Sequence, residues 1–544
     1  MADLATMVEE LPANASLPVN ETLLDRKLKK TSRRGVAVFI LALLGGVAYI
    51  GFHVAKDLDA VTITSIWPYM LLGLALLIAL GFEFVNGFHD TANAVATVIY
   101  THSLEPNVAV VWSGLCNLAG VLFSSGTVAF AIIMLLPVEL ILQVSSGAGF
   151  AMIFALLIAA ILWNLGTWWF GLPASSSHTM VGSIIGVGLA NQWLDVRTGT
   201  SGVDWEQATK VFKVLLISPL IGFGVAAILM LISKRLVKYP SLYEAPKDNQ
   251  PPPWPIRILL LLTCSGVSFS HGSNDGQKGM GLIMLILIGT VPTAYALNHA
   301  VTAHDMQDFI AASEQAGHIL DRHVDKNGIL GPDARTEVTD YIRTKKLQPD
   351  TVLALRELVE DLNHEVALYK VFKSVPAQDQ TNVRNDMYVA SEALRLMEKD
   401  HNPAFTAEEN AALKNYKNRV DKATKFIPDW VKVAVALALG LGTMVGWKRI
   451  VITVGERIGK QHLSYAQGAS AELVAMATIF AANIWGLPVS TTHVLSSGVA
   501  GTMTANGSGL HFSTVRNIAA GWVFTLPASA LLSGLLFWLF RSIS

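Results

Sequence analysis

The chain has 544 residues, of which 52% are hydrophobic and 15% are charged, and its mean hydropathy is +0.45. Soluble domains carry about 25% charged residues, so this composition excludes an ordinary soluble protein and indicates one built from membrane-spanning helices. The formal net charge of −1 gives no reason to expect a nucleic-acid partner, and two cysteines, Cys116 and Cys264, provide no disulfide framework.

Apolar and polar stretches alternate along the chain in a way that predicts successive segments. They are a polar, basic tail at 1–34, an additional transmembrane helix at 35–54, a first transmembrane repeat at 67–234, a basic Pro-rich linker at 235–255, the start of a second repeat at 256–296, an inserted soluble helical domain at 297–427 and the remainder of the second repeat at 428–544. The 35–54 segment follows a polar, charged tail, so we expect it to be a retained anchor and not a cleaved leader.

Basic residues mark three of the loops. They cluster in the tail, in the 235–257 region and at 448–460, and the positive-inside rule places all three in the cytoplasm. The spans that flank the insert run from the second of these loops and back to the third. We therefore expect the insert on the outer, periplasmic side.

Two different motifs each occur twice, in the same order. Asn86–Ala94 (NGFHDTANA) aligns with His271–Gly279 (HGSNDGQKG), and Gly171–Thr179 (GLPASSSHT) aligns with Gly486–Val494 (GLPVSTTHV). This order indicates an internal duplication. Without the insert each half has five hydrophobic segments, so the second copy must enter the membrane from the opposite side. The predicted fold class is an all-α polytopic membrane protein with an inverted-topology repeat and broken or re-entrant helices.

The Gly-Leu-Pro motifs predict two helix N-termini that carry hydroxyl groups. Glycine ends the preceding helix and proline suits the first turn of the next. Free backbone N–H groups, a positive dipole end and hydroxyls together favour an anion. The candidate residues are Ser175, Ser176 and Ser177 in the first copy and Ser490, Thr491 and Thr492 in the second. The alternative is that these hydroxyls are ordinary N-caps or only join neighbouring helices.

The other motif pair carries ionisable groups into apolar segments. These groups are Glu83, His89 and Asp90 in the first half and His271, Asp275 and Lys278 in the second. Such groups mark an ion or substrate path, and the small residues around them suggest interrupted helices whose carbonyls could hold a cation. The alternatives are a buried Asp275–Lys278 ion pair at i,i+3 and, for His178 and His493, ordinary polar residues at a helix turn.

Together the four motifs resemble those of the bacterial branch of the PiT family of inorganic phosphate transporters, over about residues 67–296 and 428–541. The resemblance implies a secondary transporter, not an enzyme, without a bound cofactor. It implies low-affinity phosphate uptake by symport across the bacterial cytoplasmic (inner) membrane, and a homodimer in the lipid bilayer. The cargo implied for bacterial members is a neutral metal-phosphate complex that moves with a proton, whereas other members use sodium.

The candidate residues divide into two sets by role. The substrate-binding set is Ser175, Ser176, Ser177, Ser490, Thr491, Thr492, Asn274 and Lys278, and the set for the coupling ion or metal is Asp90, Asn93, Asp275, Glu83 and His89. Sodium-coupled relatives carry Asn-Asp-x-x-Asn in both halves, but here Lys278 replaces the last Asn of the second. Its ammonium group can take the place of sodium, which favours proton coupling, with the proton carrier among Glu83, His89 and Asp90.

Three other functions compete with this one. An intramembrane serine hydrolase is disfavoured because Ser177 and His178 are adjacent and point to different faces of a helix. A divalent-metal transporter would use Asp90, Asp275 and the histidines beside them as ligands, but would leave the hydroxyls without a role. A carrier of sulfate or another tetrahedral oxyanion is the closest alternative.

Overall fold

The computed structural model describes residues 24, 32–59, 66–90, 92–144, 146–194, 203–246, 251–325, 328, 329, 331, 333–369 and 371–543, with only the backbone of residues 92 and 93. The first part of this chain is helical. Its helices are α1 (Arg33–Leu58), α2 (Trp67–Asp90), α3 (Ala92–Tyr100), α4 (Pro106–Leu122), α5 (Thr127–Ile133), α6 (Val138–Leu142), α7 (Gly147–Trp169), α8 (Ser176–Leu194) and α9 (Trp205–Leu236).

The remaining helices divide into a polar group between two apolar groups. The long apolar α10 (Trp254–Thr290) and the short α11 (Pro292–Tyr295) lead into a polar group formed by α12 (Ala303–Arg322), α13 (Ala334–Thr344), α14 (Thr351–Ala367), α15 (Gln380–Asp400) and α16 (Ala407–Thr424). The chain then returns to apolar helices with α17 (Asp429–Thr443), α18 (Lys448–Ile452), α19 (Tyr465–Ile484), α20 (Thr491–Asn506) and α21 (Phe512–Ile543).

Several of these helices are long and apolar enough to cross a membrane. Within the described residues there are five by length and composition, and up to seven if two bent helix pairs each count as one span. One of those pairs joins α16 to α17, and because α16 is rich in charged residues we assign only α17 to the membrane part. The predicted all-α polytopic membrane fold is confirmed.

The two halves of the membrane part pack into each other. Helix α8 lies along α21, the last helix of the second half, and α9 lies along α20. Glycines allow this close approach, since a Cβ at Gly186 would lie 1.9 Å from the carbonyl oxygen of Ala530 and one at Gly222 would lie 2.3 Å from that of Val494. Small residues at such contacts are typical of membrane helix pairs.

The two copies of the acidic motif lie on α2–α3 and on α10. The first copy lies where α2, which reaches Asp90, meets α3, which starts at Ala92, and the two together form one span from Trp67 to Tyr100. The second copy lies inside α10, which is continuous, and the expectation of an interrupted helix there is wrong. The His271–Gly279 motif has no proline, and its glycines serve packing. A Cβ at Gly272 would lie 2.1 Å from the carbonyl oxygen of Asn117 on α4.

The polar helices α12–α16 pack around a buried apolar interior that includes Phe309, Leu355 and Tyr416. This bundle contacts the membrane part through polar groups. Lys345 Nζ lies 2.9 Å from Asp204 Oδ1 at the start of α9, and Asn385 Nδ2 donates to the carbonyl oxygen of Leu142 at 3.2 Å. The bundle is therefore held against one end of the transmembrane helices.

Candidate functional site

Each Gly-Leu-Pro motif forms a turn between two helices, as predicted. Helices α7 and α19 are followed by Gly171 and Gly486, whose φ angles are 65° and 63°, and this left-handed conformation suits glycine. The next helices begin at Ser176 and at Thr491. The two copies therefore present helix N-termini of the same construction.

The first hydroxyl of each copy acts as a helix cap. Ser175 Oγ accepts from the backbone amide of His178 at 3.2 Å, and Ser490 Oγ accepts from that of His493 at 3.1 Å. For these two serines the ordinary N-cap interpretation describes the contacts in the structure. The following two residues of each copy are left to form the site.

Hydroxyls from both N-termini converge on Asp90. Thr492 Oγ1 donates to Asp90 Oδ1 at 3.0 Å, and Ser176 Oγ lies within hydrogen-bonding distance of the Asp90 carboxylate and of Asn86 Oδ1. Thr491 Oγ1 is buried without a hydrogen-bond partner. The carboxylate of the first half is thus bonded by residues of both halves.

The remaining hydroxyl, that of Ser177, connects to the second half. Ser177 Oγ donates to the carbonyl oxygen of Val489 at 2.9 Å and accepts from Lys278 Nζ. Asn274 holds the same turn, since its Nδ2 donates to the carbonyl oxygen of Leu487 at 3.2 Å and its Oδ1 accepts from the Val489 amide at 3.5 Å. Lys278 reaches the candidate anion site, whereas Asn274 contacts only backbone there.

Asp275 and Lys278 form a buried ion pair, as one of the alternatives predicted. Lys278 Nζ lies 2.6 Å from Asp275 Oδ2, and both side chains are almost fully buried. His271 Nε2 lies 3.6 Å from the same oxygen. Asp275 Oδ1 accepts no hydrogen bond, so this carboxylate has an oxygen available for a further positive group.

His89 and Glu83 extend the site along α2. His89 Nδ1 lies 2.8 Å from Asp90 Oδ1, and its Nε2 lies 3.0 Å from Thr167 Oγ1. Glu83 Oε2 accepts from Asn86 Nδ2 at 3.3 Å, while Oε1 is buried without a partner. The side chain of Asn93 lies outside the described residues.

Three of these groups come together closely enough to bind one cation. Asp90, His271 and Asp275 each offer a ligand atom, and the three atoms lie within 4.8 Å of one another. Carboxylates with an imidazole suit divalent ions such as Mg²⁺, Mn²⁺ or Zn²⁺. The donor set therefore fits a divalent cation.

Sequence reasoning missed two buried polar features of the membrane part. Glu472 on α19 is fully buried, and its carboxylate accepts from the hydroxyls of Thr97 and Thr263. It is the only acidic residue in the apolar segment Tyr465–Ile484, a signal that could have identified it. The other feature is a contact between His178 and His493, whose ring centroids are 4.4 Å apart.

Comparison with known proteins gives consistent matches. The sequence profile described as the phosphate transporter family matches residues 86–533. The low-affinity inorganic phosphate transporter PitA of Escherichia coli (strain K12) is 41% identical over 493 residues, covering 86% of this chain and 96% of PitA. PitB of the same organism is 40% identical over 491 residues, covering 87% of this chain and 97% of PitB.

A more distant likeness extends to a solved structure. It is described as the sodium-dependent phosphate transporter and matches with a TM-score of 0.46 and 17% identity, over 87% of this chain and all of that one. This likeness is too weak to support an inference about the site.

Proposed function

We propose that this chain takes up phosphate by symport with a proton, as a metal-phosphate complex. The premise is that it belongs to the phosphate transporter family and is a transmembrane inorganic phosphate transporter, not an enzyme. The observation that supports the proposal most directly is the convergence of hydroxyls from both N-termini on a buried carboxylate, beside a group that suits a divalent cation. The anion and the cation of one neutral complex would thus each have a binding surface.

Phosphate would bind at the two helix N-termini. Ser176, Ser177, Thr491 and Thr492 stand where free amides and the positive end of the helix dipole favour an oxyanion. In the structure three of these hydroxyls contact Asp90 or Lys278. Phosphate binding would exchange the contacts with Asp90 for contacts with phosphate oxygens, and Lys278 would add a cationic donor.

The metal would bind between the carboxylates. Asp90 and Asp275 come from equivalent positions of the two halves and, with His271, offer ligand atoms within 4.8 Å of one another. The unmatched Asp275 Oδ1 supports a cation at this position. Glu83, His89 and Asn93 complete the proposed set for the coupling ion or metal.

Lys278 supports the choice of a proton over sodium. Its ammonium group pairs with Asp275 at 2.6 Å and so stands where a second-half sodium ion would contact that carboxylate. A permanent positive group there makes sodium unnecessary. Wild-type transport would then depend on a pH gradient alone.

The wider setting is part of the same proposal. The protein would lie in the bacterial inner membrane as a homodimer of inverted repeats. The basic loops would face the cytoplasm because of the positive-inside rule, and the α12–α16 bundle would face the periplasm.

Uptake into proteoliposomes tests the proposal. Radiolabelled phosphate, sulfate and a divalent metal such as Mg²⁺ are varied independently, under an imposed pH gradient or an imposed sodium gradient. We expect pH-driven uptake of phosphate that requires the metal, and metal uptake that requires phosphate. Metal-independent phosphate uptake would contradict the metal-phosphate cargo, and uptake that follows only sodium would contradict proton symport.

A further inference from the structure

Two histidines meet where the two Gly-Leu-Pro motifs approach each other. His178 follows the last hydroxyl residue of the first copy, and His493 holds the same place in the second. Their ring planes are inclined by 36°, and the residues are 6% and 2% exposed. Because the positions are equivalent, the contact belongs to the structure that the two halves build together.

Each ring has a nitrogen that the surrounding protein leaves without a hydrogen bond. These atoms are Nδ1 of His178 and Nε2 of His493. Buried polar atoms nearly always have a partner in folded proteins. Two unmatched imidazole nitrogens at equivalent positions therefore point to a ligand that comes from outside the protein.

The ring of His493 is held in place by a tryptophan from the last helix. Trp522 on α21 stacks on His493 with a centroid distance of 4.1 Å, and its Nε1 donates to the carbonyl oxygen of Pro173 at 2.8 Å. A residue that only fills space here could be apolar and would leave no unmatched nitrogen. The structure thus favours a chemical role for the imidazoles.

Charged groups approach the pair from neighbouring helices. Lys278 on α10 donates to Ser177, the residue before His178, and Asp90 on α2 accepts from Ser176 and Thr492, which precede the two histidines. Trp522 on α21 does not titrate, and Glu472 on α19 is held by two threonine hydroxyls. An anion bound at the N-termini would offset the positive charge of Lys278 beside the imidazoles.

We propose that His178 and His493 together bind one proton, and that this proton, in place of one on Glu83, His89 or Asp90, is the one carried with phosphate. Those three residues would then serve the metal. The inference rests on the proposed binding of phosphate at the two N-termini. Free imidazole changes charge near neutral pH. Here burial and Lys278 oppose the charged form, so the first proton would bind together with phosphate, and a second would be opposed by the first. Phosphate adds negative charge beside the pair, so proton and phosphate each strengthen the binding of the other by the same factor.

The test compares two readouts in His178→Gln, His493→Gln and the double variant. One is phosphate accumulation driven by a pH gradient, and the other is exchange of phosphate across the membrane with equal pH on both sides, which needs no net proton movement. In the variants we expect the ratio of phosphate accumulation to phosphate exchange to fall at least about tenfold, which is the factor that one coupled proton contributes for each pH unit of gradient. His318→Gln, in the polar bundle, is the matched control and should leave both readouts unchanged.

Phosphate affinity measured between about pH 5.5 and 8 supplies a second readout, because the free-energy slope for one proton is about 1.4 kcal/mol per pH unit. The wild type should show a steeper pH dependence than the variants, and the titration of phosphate itself cancels in this comparison. Wild-type ratios and pH slopes in the variants would overturn the proposal, as would loss of exchange together with accumulation. If phosphate accumulation in the wild type is driven only by a sodium gradient, proton symport itself is wrong, and the histidine assignment fails with it.

Discussion

Removing one hydroxyl from either helix N-terminus should weaken phosphate binding. Thr492 donates to Asp90 at 3.0 Å, and Ser177 accepts from Lys278 Nζ, so each hydroxyl already bonds a buried charged group. Hydrogen bonds to charged groups contribute about 1.5–3 kcal/mol. If a phosphate oxygen replaces Asp90 as the acceptor for Thr492 and the Val489 carbonyl as the acceptor for Ser177, Ser177→Ala and Thr492→Ala each leave one phosphate oxygen unmatched in a buried site, a loss on the order of 1–3 kcal/mol.

The expected effect is a loss of apparent phosphate affinity of roughly tenfold or more, since about 1.4 kcal/mol is a factor of ten. The measurement is the KM for radiolabelled phosphate in proteoliposomes, at matched protein levels. Thr492→Ser keeps the hydroxyl and should retain most of the affinity. Thr504→Ala removes a hydroxyl from the same helix that only bonds the carbonyl oxygen of Ala500, and is the control. Wild-type affinity in both Ser177→Ala and Thr492→Ala would exclude these hydroxyls from the phosphate site.

Three further predictions concern charged groups. Asp90→Asn and Asp275→Asn should each abolish net uptake while the protein still inserts and extracts like the wild type, and near-normal gradient-driven uptake in either would contradict their assignment. Lys278→Asn removes the ammonium group and should either stop transport or introduce sodium dependence. The test applies pH and sodium gradients separately. An active variant that still ignores sodium would show that Lys278 does not take the place of a sodium ion. Burial alone would raise the pKa of Asp204, but the hydrogen bond and charge of Lys345 outweigh it and hold the pKa below its ordinary value of 3.8. The stabilisation by the Asp204–Lys345 pair is therefore present above pH 3.8 and is lost as pH falls through the lowered pKa. At pH 7, Asp204→Asn should speed protease cleavage of the polar bundle about fivefold, the factor for about 1 kcal/mol. An unchanged cleavage rate would contradict this.

Local features of the site could be predicted from sequence because glycine and proline determine backbone shape directly. Gly171 and Gly486 have the left-handed φ that ends a helix, and a new helix follows each of them. The duplication also indicated which acidic residues are equivalent. Asp90 and Asp275 do lie close together in the structure.

Contacts between the halves could not be predicted, since they depend on how distant helices pack. Nothing in the sequence indicates that Thr492 donates to Asp90, 402 residues away, or that the two motif histidines touch. The continuity of α10 was missed for a similar reason. Its glycines look like helix breakers in isolation, but Gly272 and Gly276 lie where α4 approaches closely and Gly279 lies against Glu83 on α2.

The packing of α8 along α21 has a consequence for synthesis of the protein. Ribosomes release α8 into the membrane early, but its packing partner is the last helix of the described chain to be made. Until then the glycine face of α8 has only provisional neighbours, such as lipid or the insertion machinery. A chain truncated before Phe512 would lack the partner of α8 as well as Trp522, so quality control could recognise an unfinished transporter by a defect in its first half.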